Sequence, residues 1–156
     1  MFDDALSCSL TLNDQLVGIN ITWSYDTIAS LSFIYSNEAI SKHGYGDILR
    51  PPLNSSIFSL LSVESINGVT IYQGIRDIIN TYKPNGTNII VGIQFFTNRG
   101  RQSEIFGSTN GTMYTETYPD YKLTYVRGRS YAFIDALQFV WTKTYAQSID
   151  SMIGSA

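Results

Sequence analysis

Apolar and polar residues alternate along most of this chain. In "LVGINITWS", Val17, Ile19, Ile21 and Trp23 take one parity and Gly18, Asn20, Thr22 and Ser24 the other. A period of two places one set on each face of a β-strand. "TIASLSFIYS" repeats the pattern with Ile28, Leu31, Phe33 and Tyr35, and the slip near Ala29 predicts a β-bulge. Tyr25-Asp26, between Ser24 and Thr27, predicts the hairpin turn that joins the two. "SIFSLLSV", "GVTIYQGI", "TNIIVGIQFFT", "TMYTET", "YKLTYV" and "YAFIDALQFVW" predict further strands. Between them lie "HGYGD", "RPPLNSS", "KPNGT", "NRGRQ", "STNGT" and "YPDY". Each supplies Gly, Pro, Asn or Asp where the chain must reverse.

Many short strands at regular spacing define an all-β protein. A sandwich, a barrel and a prism all satisfy the periodicity. Two stretches carry other patterns. "IRDIINTY" fits strand or helix. "TYAQSIDSMIGSA" places Tyr145, Ile149, Met152 and Ile153 on one helical face, so a short C-terminal helix and a frayed tail both stay open. The 156 residues show no linker or composition break, which fits a single domain with a sizeable core.

Composition removes several function classes. Charged residues make up 15% of the chain and the net charge is −3, so no basic face is available for nucleic acid. Arg99, Arg101, Arg127 and Arg129 sit beside turn signals and read as solvated loop charges. The adjacent Asp3 and Asp4 read as solvated acids near the start of the chain. The single Cys8 excludes an internal disulfide and reads as a small buried hydrophobe. With His43 the one histidine, neither a zinc site nor a His-based catalytic centre is expected. No paired carboxylates or nucleophile–base set stands out, so an enzyme is the least expected reading. No apolar run is long enough to span a bilayer, so no membrane insertion is expected. "MFDDALSCSL" lacks the pattern of a signal peptide. Asn-x-Ser/Thr sites at Asn20, Asn54, Asn85 and Asn110 permit secretion without requiring it.

The last third narrows the choice. "NIIVGIQFFTNRGRQSEIFGSTNGTMYTETYPDYKLTYVRGRSYAFIDALQFVW" resembles the C-terminal half of a jacalin-like lectin domain, nearest in look to the zymogen-granule secretory lectins. "VGINITWSYDTIASLSFIYSN" is similar to the family's first long hairpin, "VESINGVTIYQG" to its Glu-led middle strand, and "FDD" to its N-terminal acidic turn. The resemblance implies an all-β β-prism I over residues 1–142, with 143–156 as a tail. Such a prism has three four-stranded Greek-key sheets around a pseudo-threefold axis. Ile19, Ile21, Phe33, Ile93, Phe95, Leu137 and Phe139 would fill that axis, and Trp23 and Trp141 read as core or sheet-face residues.

The family's sugar site has a Gly-x-x-x-Asp motif before the final strand. On this chain Asp135 falls on the motif's acid, and Ala132 and Phe133 on the positions whose backbone N–H groups meet the sugar. A carboxylate accepts hydrogen bonds from neighbouring hydroxyls, and an ionised acceptor makes the stronger bond. Tyr131 stands where the motif has glycine, and would either obstruct the loop or stack on the sugar. The glycine-rich loop that usually precedes the "FDD" segment has no counterpart here. From the loop after the middle strand, Tyr82, Lys83 and Asn85 could reach a ligand. Without a ligand, Asp135 would simply cap the "GRS" turn.

The resemblance implies a carbohydrate-binding module for mannose-type or related glycans, with no cofactor and no catalysis. Glycans or glycoproteins would be its partners, with a homo-oligomer or larger assembly for avidity. It also favours a secreted protein. Two readings compete: a β-prism that has lost sugar binding and builds an assembly, and a receptor-targeting domain of a larger system.

Overall fold

The computed structural model describes residues 1–44, 53–76, 87–130 and 133–144. The elements are β1 (Phe2–Asp3), α1 (Asp4–Ser7), β2 (Leu16–Trp23), β3 (Ile28–Tyr35), β4 (Ile40–His43), β5 (Asn54–Ser59), β6 (Ile66–Arg76), β7 (Thr87–Thr97), β8 (Phe106–Gly107), β9 (Thr112–Thr117), β10 (Tyr121–Ser130) and β11 (Ile134–Lys143). They form three antiparallel sheets. Sheet I has the order β4-β3-β2-β5 and sheet II the order β8-β7-β6-β9. Both are Greek keys: three hairpin-linked strands, with the fourth returning beside the first. In sheet III the order is β1-β10-β11. Its central hairpin matches β2–β3 and β6–β7, and β1 lies beside β10 as β5 lies beside β2. This is the expected β-prism with its threefold pseudosymmetry. Both segments with an ambiguous pattern fall largely outside the described residues, the C-terminal one from Tyr145 onward.

The inward parity of each sheet fills the axis. Ile19, Ile21, Phe33, Ile93 and Phe95 are fully buried, and Phe139 nearly so. Leu137 is half-buried and packs against this core. Two bulges in the β2–β3 hairpin edit the simple alternation. Thr22 pairs with Ser30 and Trp23 with Ile28, so Ala29 is the extra residue the sequence pattern indicates. Leu16 pairs with Tyr35 and Gly18 with Ile34, so Val17 is also extra. Val17 is therefore exposed and Leu16 takes the inward position, a correction to the sequence reading. A bulge flips parity, and period two alone cannot place it.

A second correction concerns Arg101, which is not a solvated loop charge. Glu64, in the β5–β6 loop, has a fully buried side chain. Arg101, in the β7–β8 loop, donates to Glu64 Oε2 through Nε at 3.0 Å and to Oε1 through Nη2 at 2.7 Å. The same guanidinium donates to the Ser59 carbonyl at 2.6 Å and lies over the Phe58 ring. The Thr97 hydroxyl and the Leu61 amide also donate to Glu64, each at 2.8 Å. A bidentate fork is the strong form of this pair. The cluster ties sheet I to sheet II. Arg101, above all, holds the Glu64 carboxyl at about 2, below the usual range, and the Leu61 and Thr97 bonds assist against the cost of burial.

Candidate functional site: the β10–β11 hairpin

β10 carries the "VRGRS" stretch up to the hairpin, and Gly128 has a steric task there. A Cβ on Gly128 would lie 2.1 Å from the Ala136 carbonyl oxygen and 3.0 Å from the Phe2 ring. Only glycine lets β11 and the N-terminal strand approach this closely. Beyond it the ladder slips. Arg129 pairs with Ala136 and Ser130 with Ile134, leaving Asp135 as the extra residue of a bulge. Bulges re-aim a side chain and recur beside functional sites. Asp135 is half-buried at this position.

Phe133 starts the hairpin's return, and its ring is fully buried with Ala29, Ile89 and Val91. Leu53 and Tyr72 pack against the same cluster. The side chain of Phe133 thus anchors the hairpin to the tips of sheets I and II, and only its backbone can serve a ligand. Ala132 and Tyr131 lie outside the described residues, as do Tyr82, Lys83 and Asn85. Of the sequence-expected site residues, Asp135 and Phe133 are the two that lie within the described residues.

Arg127 and the N-terminal strand flank the hairpin, and Arg127, read from the sequence as a solvated loop charge, is instead a half-buried residue of β10. Asp3 pairs with Arg127 and Phe2 with Gly128. A shallow open depression is lined by Met1, Phe2, Asp3, Leu6, Ser7 and Arg127. Arg127 Nε is buried and meets no acceptor among the described residues, and its guanidinium carbon lies 5.9 Å from the Tyr125 ring centre. The "FDD" run beside "VRGRS" was the available signal, but only the strand pairing joins them.

Asp4 is not solvated, and Asp3 is half-buried with a structural task, which corrects the expectation. Asp3 caps α1, accepting from the Ala5 amide at 3.0 Å and the Leu6 amide at 3.3 Å. Asp4 is fully buried. Its Oδ2 accepts from the Tyr35 hydroxyl, and its Oδ1 accepts from Ser41 Oγ at 2.7 Å and lies 2.8 Å from His43 Nε2. The Phe2 ring stacks on His43 with centroids 3.5 Å apart. Burial first, then the carboxylate that accepts its proton, push the Tyr35 phenol upward.

The group contains Asp, His and Ser but is not wired for nucleophilic catalysis. Asp4 and Ser41 both meet Nε2, whereas a relay needs the acid on one ring nitrogen and the nucleophile on the other. Among the described residues no group of three or more His, Cys, Asp or Glu side chains could hold a metal. Cys8 is a free thiol, half-buried against the core.

The prism and its hairpin define a class of protein, the lectin-like β-prisms. The Jacalin-like lectin domain family matches residues 6–140, and the chain belongs to that family. Solved structures agree on the fold. Artocarpin in complex with mannopentose superposes with a TM-score of 0.67 at 20% identity, covering 82% of this chain and 83% of that one. Frutapin, a lectin from Artocarpus incisa, gives the same values. Jacalin in complex with T-antigen superposes with a TM-score of 0.66 at 17% identity, covering 82% of this chain and 92% of that one. No curated protein matches the chain.

Proposed function

We propose that this chain is a non-enzymatic carbohydrate-binding module for mannose-type or related glycans, with Asp135 as its anchor. One observation carries the reading: in a jacalin-like prism, Asp135 occupies a bulge at the mouth of the β10–β11 hairpin. The carboxylate accepts from two adjacent sugar hydroxyls, while the backbone N–H groups of Ala132 and Phe133 donate to the same sugar. Tyr131 and Tyr82 form the rim. The solved neighbours carry mannopentose in one case and T-antigen in another, which supports the class of ligand. The binding unit is residues 1–142, with 143–156 as its tail. A single shallow site binds weakly, so several copies acting together supply avidity.

A glycan array tests this. Wild-type protein is expected to bind a defined set of glycans, and Asp135→Ala to lose that binding by about tenfold to a hundredfold, the worth of charge-assisted hydrogen bonds. Equal binding by a folded Asp135→Ala variant removes the anchor role. Silence from the folded wild type favours the second reading, an assembly prism. That reading has its own support: β11, ten residues long, meets no strand on its outer edge among the described residues. Long open edges invite pairing with another chain.

A further inference from the structure

The opposite end of β11 carries a second constellation that the hairpin does not use. Trp141 packs against the core there, and Phe139 lies beside it. Its indole Nε1 donates to Glu116 Oε1 at 3.1 Å, bridging sheet III to sheet II. Tyr118 stands edge-on to Trp141 at 5.4 Å and to Tyr121 at 6.0 Å, with interplanar angles of 70° and 67°. Tyr118 is 42% exposed and Tyr121 38%. Within the described residues, the Glu116 side chain makes one hydrogen bond, through Oε1.

Closing the end of a core needs only apolar surface, and Trp141 supplies it. The polar groups are surplus to that task. The indole fixes the carboxylate in place, so Oε2 is presented as an oriented acceptor at no further entropic cost. Tyr118, against Trp141, and Tyr121 beyond it keep part of their ring surface in water. Aromatic surface beside an ionised acceptor suits a ring with one apolar C–H face and hydroxyls at its edge. An acidic sugar would place like charge against Glu116, so the ligand class is neutral.

We propose that Tyr118, Tyr121 and Glu116, supported by Trp141, form a second site for a neutral pyranose. Six steps along the strand separate Asp135 from Trp141, about 20 Å at the usual rise. The two sites therefore act independently and occupy opposite ends of one molecule. A single chain could then bridge two glycans without oligomerising. The second site does not rest on the role proposed for Asp135.

The test is a 1H–15N NMR titration of the full chain with mannotriose and with the T-antigen disaccharide. The Trp141 indole signal, assigned by its loss in Trp141→Phe, and the amides of Tyr118, Asp120 and Tyr121 are expected to move with either sugar. They should move equally in wild type and in Asp135→Ala. Tyr118→Ala and Glu116→Gln, with spectra otherwise preserved, should each weaken this response about tenfold, the loss of one good contact. N-acetylneuraminic acid should leave the signals in place. Three results would overturn the proposal. One is no movement at about 10 mM of either neutral sugar, where a millimolar site is mostly filled. Another is movement abolished by Asp135→Ala. The third is movement that follows protein concentration rather than sugar, which would mark a self-association surface.

Discussion

At the scale of single residues, two positions carry more than their type suggests. Val63 has φ 57° and is 78% exposed. A β-branched residue in the left-handed region is strained, at a cost of roughly 1–2 kcal/mol. Val63 directly precedes Glu64, the partner of Arg101. Val63→Gly relieves the strain, and a denaturant melt should read a gain of about 1 kcal/mol, reduced by the added freedom of the unfolded chain. A loss of stability would show that the conformation is not strained. Asp4 is the second position. Its partners Tyr35, Ser41 and His43 are side chains of β3 and β4, so it pins the N-terminal segment to sheet I. Asp4→Ala strands the buried Tyr35 and His43 groups and the half-buried Ser41 hydroxyl, and should cost about 3 kcal/mol or more by the same measurement. A change below about 1 kcal/mol would mean the cluster is not a structural hub.

The elements are where sequence reading succeeded and where it failed. β7 and β9 fall on the stretches "TNIIVGIQFFT" and "TMYTET" with their ends in place, because alternation and flanking turn residues agree there. β1, β8 and β4 were not legible. The first two have two residues each and the third four, too short to establish a period. They exist because a longer neighbour offers them an edge. The site shows the same division. Asp135 could be found because an acid interrupts an apolar strand, but its bulge depends on pairing with Arg129 and Ser130. Arg101 and Asp4 were misread as solvated for a related reason. Their partners are 37 and 31 to 39 residues away, and charge pattern is a local signal.

The Glu64–Arg101 tie gives the loops a pH dependence. Glu64 titrates near 2 in the folded protein and at about 4.5 ordinarily. Its stabilisation is therefore complete above about pH 4.5 and disappears as the pH falls through about 2. At neutral pH, Glu64→Gln should cost about 2 kcal/mol in a urea melt, and the difference from wild type should shrink across that acid window. A constant difference from pH 7 to pH 2 would show that the loss comes from packing instead. Arg101→Ala should cost more than Glu64→Gln, because it leaves the buried carboxylate charged and alone.

At the scale of the whole molecule, the three sheets differ in how far apart their strands lie in the chain. Sheets I and II are each built from one continuous stretch, residues 16–59 and 66–117. Sheet III joins Phe2–Asp3 to residues beyond 120. A chain made from its N-terminus can close the first two Greek keys in turn, since pairing of nearby segments is fast and pairing of distant ones slow. α1 can dock through Asp4 as soon as His43 has emerged, and so be held in place early. β1 must wait for Arg127 and Gly128. The hairpin bearing Asp135 is then the last piece to settle, and it does so against tips of sheets I and II that have already formed. Its geometry is cast on a finished mould, so a folding defect anywhere upstream would reach it last and distort it most.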